Sequence, residues 1–121
     1  GHLHLESTLL HPVEYARAVV PRGVLTAIAD PHEIANVRGL QGIRYLLRSS
    51  RRLPLDLFFM VPPCVPASPL EAAGAVLGPD AVQRALRWRR VIGLGEVMNV
   101  PGLLAGESHL LHKLRLAAGR R

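Results

Sequence analysis

One cysteine, two phenylalanines, two tyrosines and one tryptophan in 121 residues leave few of the usual anchors for a fold. The single Cys64 excludes an internal disulfide and fits a reducing, cytoplasmic setting. With 4% aromatic content the core has to be built from Leu, Val, Ile and Ala. Lysine is nearly absent as well: Lys113 stands alone and the other basic residues are arginines. No aromatic residue interleaves with the pairs Arg51-Arg52 and Arg89-Arg90, so a base-stacking platform is lacking. The net charge of +6 therefore reads as solvated basic helix faces, with no nucleic-acid partner expected. The longest apolar stretch, LFFMVPPCVPA, is short and broken by proline, so no membrane span is expected. No basic segment leads into an apolar run at the start, so no signal peptide is expected. A first residue other than Met and an ending in GRR suggest a piece of something longer.

What is present is a regular alternation. Four apolar runs bounded by turn residues predict buried parallel strands: HLHL at the start, GVLTAIAD from Gly23, LDLFFMV from Leu55 and RVIGLGEV from Arg90. Helical patterns lie between them. The first follows Pro12 and places Val13, Ala16 and Val20 on one face. The second carries Val37, Leu40, Ile43 and Leu47, with Arg38, Arg44, Arg48 and Arg51 on other faces. Ser68-Pro69-Leu70-Glu71 matches a capping box and predicts a third helix, broken at Gly78-Pro79-Asp80 before a short helix with Val82, Ala85 and Leu86. Leu110, Leu111 and Leu114 mark a last helix starting near Glu107. The expected fold class is α/β, with about four βα units forming the first half of a TIM-type (β/α)8 barrel over residues 1–121.

In such barrels the chemistry sits at the carboxyl ends of the strands. On an extended strand His2 and His4 leave from one face, with Glu6 beside them if the strand runs on. The second strand ends in Asp30, followed by Pro31, His32 and Glu33. The fourth ends in Glu96, with Asn99 close behind. Two neutral imidazoles converging from one strand make half a metal site, and a carboxylate closing an apolar strand needs a partner. Each has a plainer meaning too: Asp30-Pro31 as a turn, Glu96 as an acceptor for loop amides, Cys64 as a small buried hydrophobe. His11, His109 and His112 read as capping or surface residues, and Phe58, Phe59 and Met60 as core. No Walker loop, serine elbow or H-x-E with P-C-x-x-C pattern is present.

The segments GHLHLEST, IADPHEIANVRGLQGIRYLL, LDLFFMVPPCVPASPLE and VIGLGEVMNVPG, in that order, resemble the N-terminal part of the catalytic barrel of the bacterial adenine deaminases, within the amidohydrolase superfamily. The resemblance covers nearly the whole chain. It implies that His2 and His4 are the first-strand metal pair and that Glu96 bridges metals where many relatives carry a carboxylated lysine. It implies active-site roles for Glu96, Asp30, His32 and Glu33, with further metal ligation less firmly tied to the last three. His11 departs from the Ser or Thr usual before that proline, and Pro63 from a serine. The implied cofactor is a divalent pair of manganese, iron or zinc. The implied reaction is attack of a metal-activated hydroxide on C6 of adenine, releasing hypoxanthine and ammonia. Later strands would supply two further histidines and an aspartate, so the 121 residues alone are expected to bind metal weakly and to be inactive. Alternatives are another metal-dependent cyclic amidohydrolase, a non-catalytic half-barrel forming a homo-oligomer across its open edges, and a basic RNA-binding module.

Overall fold

Apolar runs too short for a helix and closed by turn residues become strands when helices can cover them. In the computed structural model, which describes residues 1–119, four such runs form β1 (His2–Leu3), β2 (Thr26–Ala29), β3 (Asp56–Val61) and β4 (Val91–Leu94). They lie in one sheet in the order β1-β2-β3-β4, each neighbouring pair parallel. The helices are α1 (Pro12–Val19), α2 (His32–Ser49), α3 (Pro79–Leu86), α4 (Val100–Leu104) and α5 (Ser108–Ala118). Strand order follows chain order with no reversal, which is the winding of a barrel and lacks the switch point of a doubly wound sheet. The fold class is thus α/β, four parallel strands and their helices making part of a TIM-type barrel.

The helices cover one face of the sheet. Leu57, Phe59 and Val61 of β3 are buried with Ala27, Ala29 and Val91, and they join Ile43, Leu46, Val82 and Leu86 in the core. Phe58 and Met60 lie on the other face and are only half-buried, as is Ile28. Phe58 and Met60, expected in the core, are thus half-buried among the described residues, on the face that a closed barrel covers with its remaining strands. Four strands do not close a barrel, so this face is left uncovered by the described residues.

Gly39 explains a second departure. Its backbone (φ 55, ψ −140) kinks α2 and takes it out of helical phase. Val37, expected on the buried stripe, is 64% exposed, whereas Ile43 and Leu47 hold their places in the core. The kink leaves the Asn36 carbonyl to accept the Ala75 amide at 3.1 Å. That bond helps to explain why no helix forms from Ser68. Ser68 and Glu71 make a turn, closed by the Glu71 amide on the Ser68 carbonyl at 3.3 Å. The chain then runs extended against α2, with the Gly74 Cα too near the Val37 carbonyl for any side chain. A capping box is a local signal, and docking of residues 74–77 on the kink overrides it. The short helix α4 was not foreseen; Asn99 caps it, its Oδ1 accepting the Gly102 amide at 3.0 Å.

Candidate metal centre

Strand β1 ends after Leu3, and a 3-10 turn over Glu6–Thr8 follows. Leu5 still turns into the core, so His2 and His4 emerge together on the concave side as alternation requires. Across the sheet, Glu96 follows β4. Its Oε1 lies 2.9 Å from His2 Nε2 and 3.2 Å from His4 Nε2. Metal–ligand bonds of about 2.0–2.2 Å place ligands on one ion roughly 3–3.5 Å apart, so these separations fit a shared cation. His2, His4 and Glu96 are the cluster of potential ligands among the described residues, their donor atoms all within 4.8 Å.

Two features hold the donors in place. His4 Nδ1 donates to the Asp30 carbonyl at 3.1 Å, which leaves the lone pair of Nε2 facing Glu96. Burial pushes the His4 pKa down, but the Asp30 carbonyl and the charges of Glu96 and Asp30 outweigh it, and the pKa is raised. Two imidazole nitrogens and a carboxylate oxygen at these distances crowd lone pairs together; a proton or a cation relieves them. The second feature is Asp30 itself, which is fully buried and accepts the Glu96 amide on Oδ2 at 2.7 Å. Gly95 makes this approach feasible, since a Cβ there would overlap the Asp30 carboxylate. Asp30 thus supports both sides of the cluster, one through its backbone and one through its side chain.

His32 opens α2 with its ring centroid 4.5 Å from that of His4. Its Nδ1 lies 4.0 Å from Asp30 Oδ1, and both atoms are buried without a hydrogen-bond partner. Glu33 is drawn aside to accept from the Ser7 hydroxyl. Of the residues singled out in the sequence, His2, His4, Glu96, Asp30 and His32 come together, and Glu33 lies at the rim. Glu6 does not join them: its Oε1 accepts the Ile34 amide at 3.0 Å and caps α2 from a distance. Burial pushes the Glu6 carboxyl up, opposed by that amide. Cys64 is buried, as a small hydrophobe should be, and accepts the Asn99 amide at 3.4 Å. His11 caps α1 through Nδ1, and His109 and His112 are exposed. Lys113 was missed; it is buried on α5 and donates to the Pro63 carbonyl at 2.8 Å.

Parallel strands that converge two imidazoles and a carboxylate at their carboxyl ends define part of a βα-barrel protein with a candidate metal centre. The comparisons narrow this. The model of the amidohydrolase family matches residues 1–105, and the chain belongs to that family. It is 53% identical over its whole length to an adenine deaminase of Syntrophobacter fumaroxidans, covering 21% of that protein. It is 50% identical over 120 residues to adenine deaminase 2 of Carboxydothermus hydrogenoformans, again 21% of it. The adenine deaminase of Clostridium acetobutylicum is 50% identical over 117 residues, 20% of its length. The chain thus spans about a fifth of the curated relatives it matches. Among the described residues no helix is long and apolar enough to cross a membrane.

Proposed function

We propose that residues 1–121 form the first part of the catalytic barrel of an adenine deaminase, in a cytoplasmic route of purine salvage. The observation that carries this reading is the convergence of His2, His4 and Glu96, supported by whole-chain identity to proteins so named. The donor set fits a divalent cation: imidazole and carboxylate suit manganese, iron and zinc alike. His2, His4 and Glu96 would hold it, Glu96 being the bridge if two ions bind. Such an ion lowers the pKa of bound water toward neutrality.

The remaining steps belong to this chain's own groups. Asp30 is a positioning residue: it fixes the Glu96 backbone and the His4 tautomer. His32, with a buried and unpartnered Nδ1 beside Asp30 Oδ1, is placed to hold a proton near the cluster. Glu33, tied to Ser7, shapes the rim. Three protein ligands and an open face leave the constellation incomplete, so catalysis requires further strands.

The test is ammonia release from adenine. The 121-residue chain with manganese should give none. Exchanged for the corresponding segment of the Syntrophobacter adenine deaminase, it should support turnover, and His4→Ala in that chimera should abolish it. Turnover by the 121 residues alone, or an inactive but folded chimera, would overturn the reading.

A further inference from the structure

The arginines scattered along the sequence gather in space at the end of the sheet opposite the metal cluster. A concavity of about 780 Å³ lies between the end of α2, the start of β3 and the turn into β4. Six arginines line it: Arg44, Arg48, Arg51, Arg52, Arg89 and Arg90. Asp56 is the one acid in that lining.

Two of the six have structural work. Arg90 donates to the Ser50 carbonyl at 3.0 Å and to the Leu47 carbonyl, closing the end of α2. Arg44 lies over the Trp88 ring, 4.7 Å from its centroid. Arg48, Arg51, Arg52 and Arg89 are different. Among the described residues none of them has a carboxylate within 4.0 Å. The backbone also bends unusually to place this cluster, with positive φ at Arg52 (60) and Arg90 (69). The crowding is felt electrostatically: burial lowers the Arg90 pKa, and Arg51 and Arg89 lower it further.

We propose that this concavity is a binding site for a compact polyphosphate, either free or as the tail of a nucleotide. Guanidinium forks pair with phosphate oxygens two at a time, and several forks around one hollow suit a ligand with two or more phosphate groups. A helix C-terminus alone attracts a cation or two, and Arg90 already meets that need. A nucleic-acid strand fits less well, because it needs a track with free aromatic faces, and Trp88 is already covered by Arg44. This site stands apart from the metal reading and does not depend on it.

The experiment is calorimetric titration of the full chain at low ionic strength, with a chelator present to keep cations from the His2–His4–Glu96 cluster. The probes are orthophosphate, pyrophosphate, ADP, an acidic peptide and single-stranded RNA. Pyrophosphate and ADP should each bind at least tenfold tighter than orthophosphate. Equal affinities assign the site to the diphosphate itself, and tighter ADP to a nucleotide tail. The variant Arg51→Gln/Arg89→Gln should weaken pyrophosphate binding tenfold or more with a melting temperature in buffer no lower than the parent's. Arg48→Gln is a milder second variant, and Arg17→Gln on α1 should change nothing. The site would be refuted by pyrophosphate binding no tighter than orthophosphate, by an acidic peptide or RNA outcompeting it, or by variants that bind as the parent does.

Discussion

At the carboxyl ends of the strands, His2, His4, Asp30 and Glu96 arrive from three separate strands and meet by direct contacts, whereas at the amino ends the arginines come from one helix end and one turn and meet no carboxylate among the described residues. Helix direction accounts for much of this division. Each helix returns antiparallel to its strand, so helix N-termini sit with the strand carboxyl ends and helix C-termini with the amino ends. Glu6 on the Ile34 amide and Arg90 on the Leu47 and Ser50 carbonyls are the two poles of α2 answered in kind. The difference lies in how each end is held. The carboxyl end relies on mutually supporting groups from distant parts of the chain, His2 and Glu96 at the surface and Asp30 buried beneath them, and the amino end on side chains attached to local structure.

The largest effect that can break this comparison is loss of a ligand. His2→Ala, His4→Ala or Glu96→Ala should each reduce manganese or zinc affinity by more than the roughly 10–100-fold that removal of a supporting hydrogen-bond partner costs. Asp30→Asn should fall within that smaller range, because it perturbs the support and leaves all three candidate ligands in place. Titration with a metal indicator measures both. Equal losses for Asp30→Asn and Glu96→Ala would erase the distinction between ligand and support.

Next in size is Gly95→Ala. Its Cβ would overlap the Asp30 carboxylate, which is fully buried and held by the Glu96 amide. We expect a loss of about 3 kcal/mol in unfolding free energy, the upper part of the range for overpacking. In an Asp30→Ala background the same substitution should cost far less, since the group it strikes is gone. Denaturant unfolding of the four-member cycle checks the coupling; additive losses would show that Gly95 and Asp30 act independently.

The two ends also differ in how readily they are read from the chain. The strands were legible as apolar runs closed by turn residues; His2, His4 and Glu96 were legible as strand-end polar groups, and their shared site followed from the family resemblance. The capping box at Ser68 was misleading: whether a turn becomes a helix depends on Gly39, about thirty residues earlier in the chain, kinking α2 and offering the Asn36 carbonyl. Glu6 was placed beside His2 and His4 only if the first strand ran on; β1 ends after Leu3, and Glu6 caps α2 instead. The gathering of arginines was invisible, since Arg51 and Arg89 are distant in sequence and meet through the register of β3 with β4.

At the amino end the expected effects are smaller and of both signs. Arg90→Met keeps volume but leaves the α2 carbonyls without their donor, which should cost about 2 kcal/mol. Arg89→Ala removes an exposed charge from a crowd of like charges and should change stability by less than about 0.5 kcal/mol, in the stabilising direction at low salt. Thermal melts at two ionic strengths separate the cases: the Arg90→Met loss should persist at high salt, and the Arg89→Ala gain should vanish.

The smallest effect sharpens the comparison at its exception. Lys113 is a buried cation on the carboxyl side, held by the Pro63 carbonyl in the loop after β3. Burial lowers its pKa, and the nearby Cys64 and Glu107 only partly restore it. Between the folded and unfolded values the unfolded chain binds more protons, so stability rises with pH across that alkaline window. The gain is complete above the unfolded lysine value and is lost as pH falls through the lowered folded one. Lys113→Met should flatten this slope while costing about 1 kcal/mol at neutral pH through the unpaired Pro63 carbonyl. Unfolding free energies measured in steps from pH 8 to 10.5 test it, with Arg115→Met on the exposed side of α5 keeping the parent slope. A parent protein with no alkaline rise would mean that water reaches the Lys113 ammonium, and that the carboxyl end tolerates a solvated cation as the amino end does.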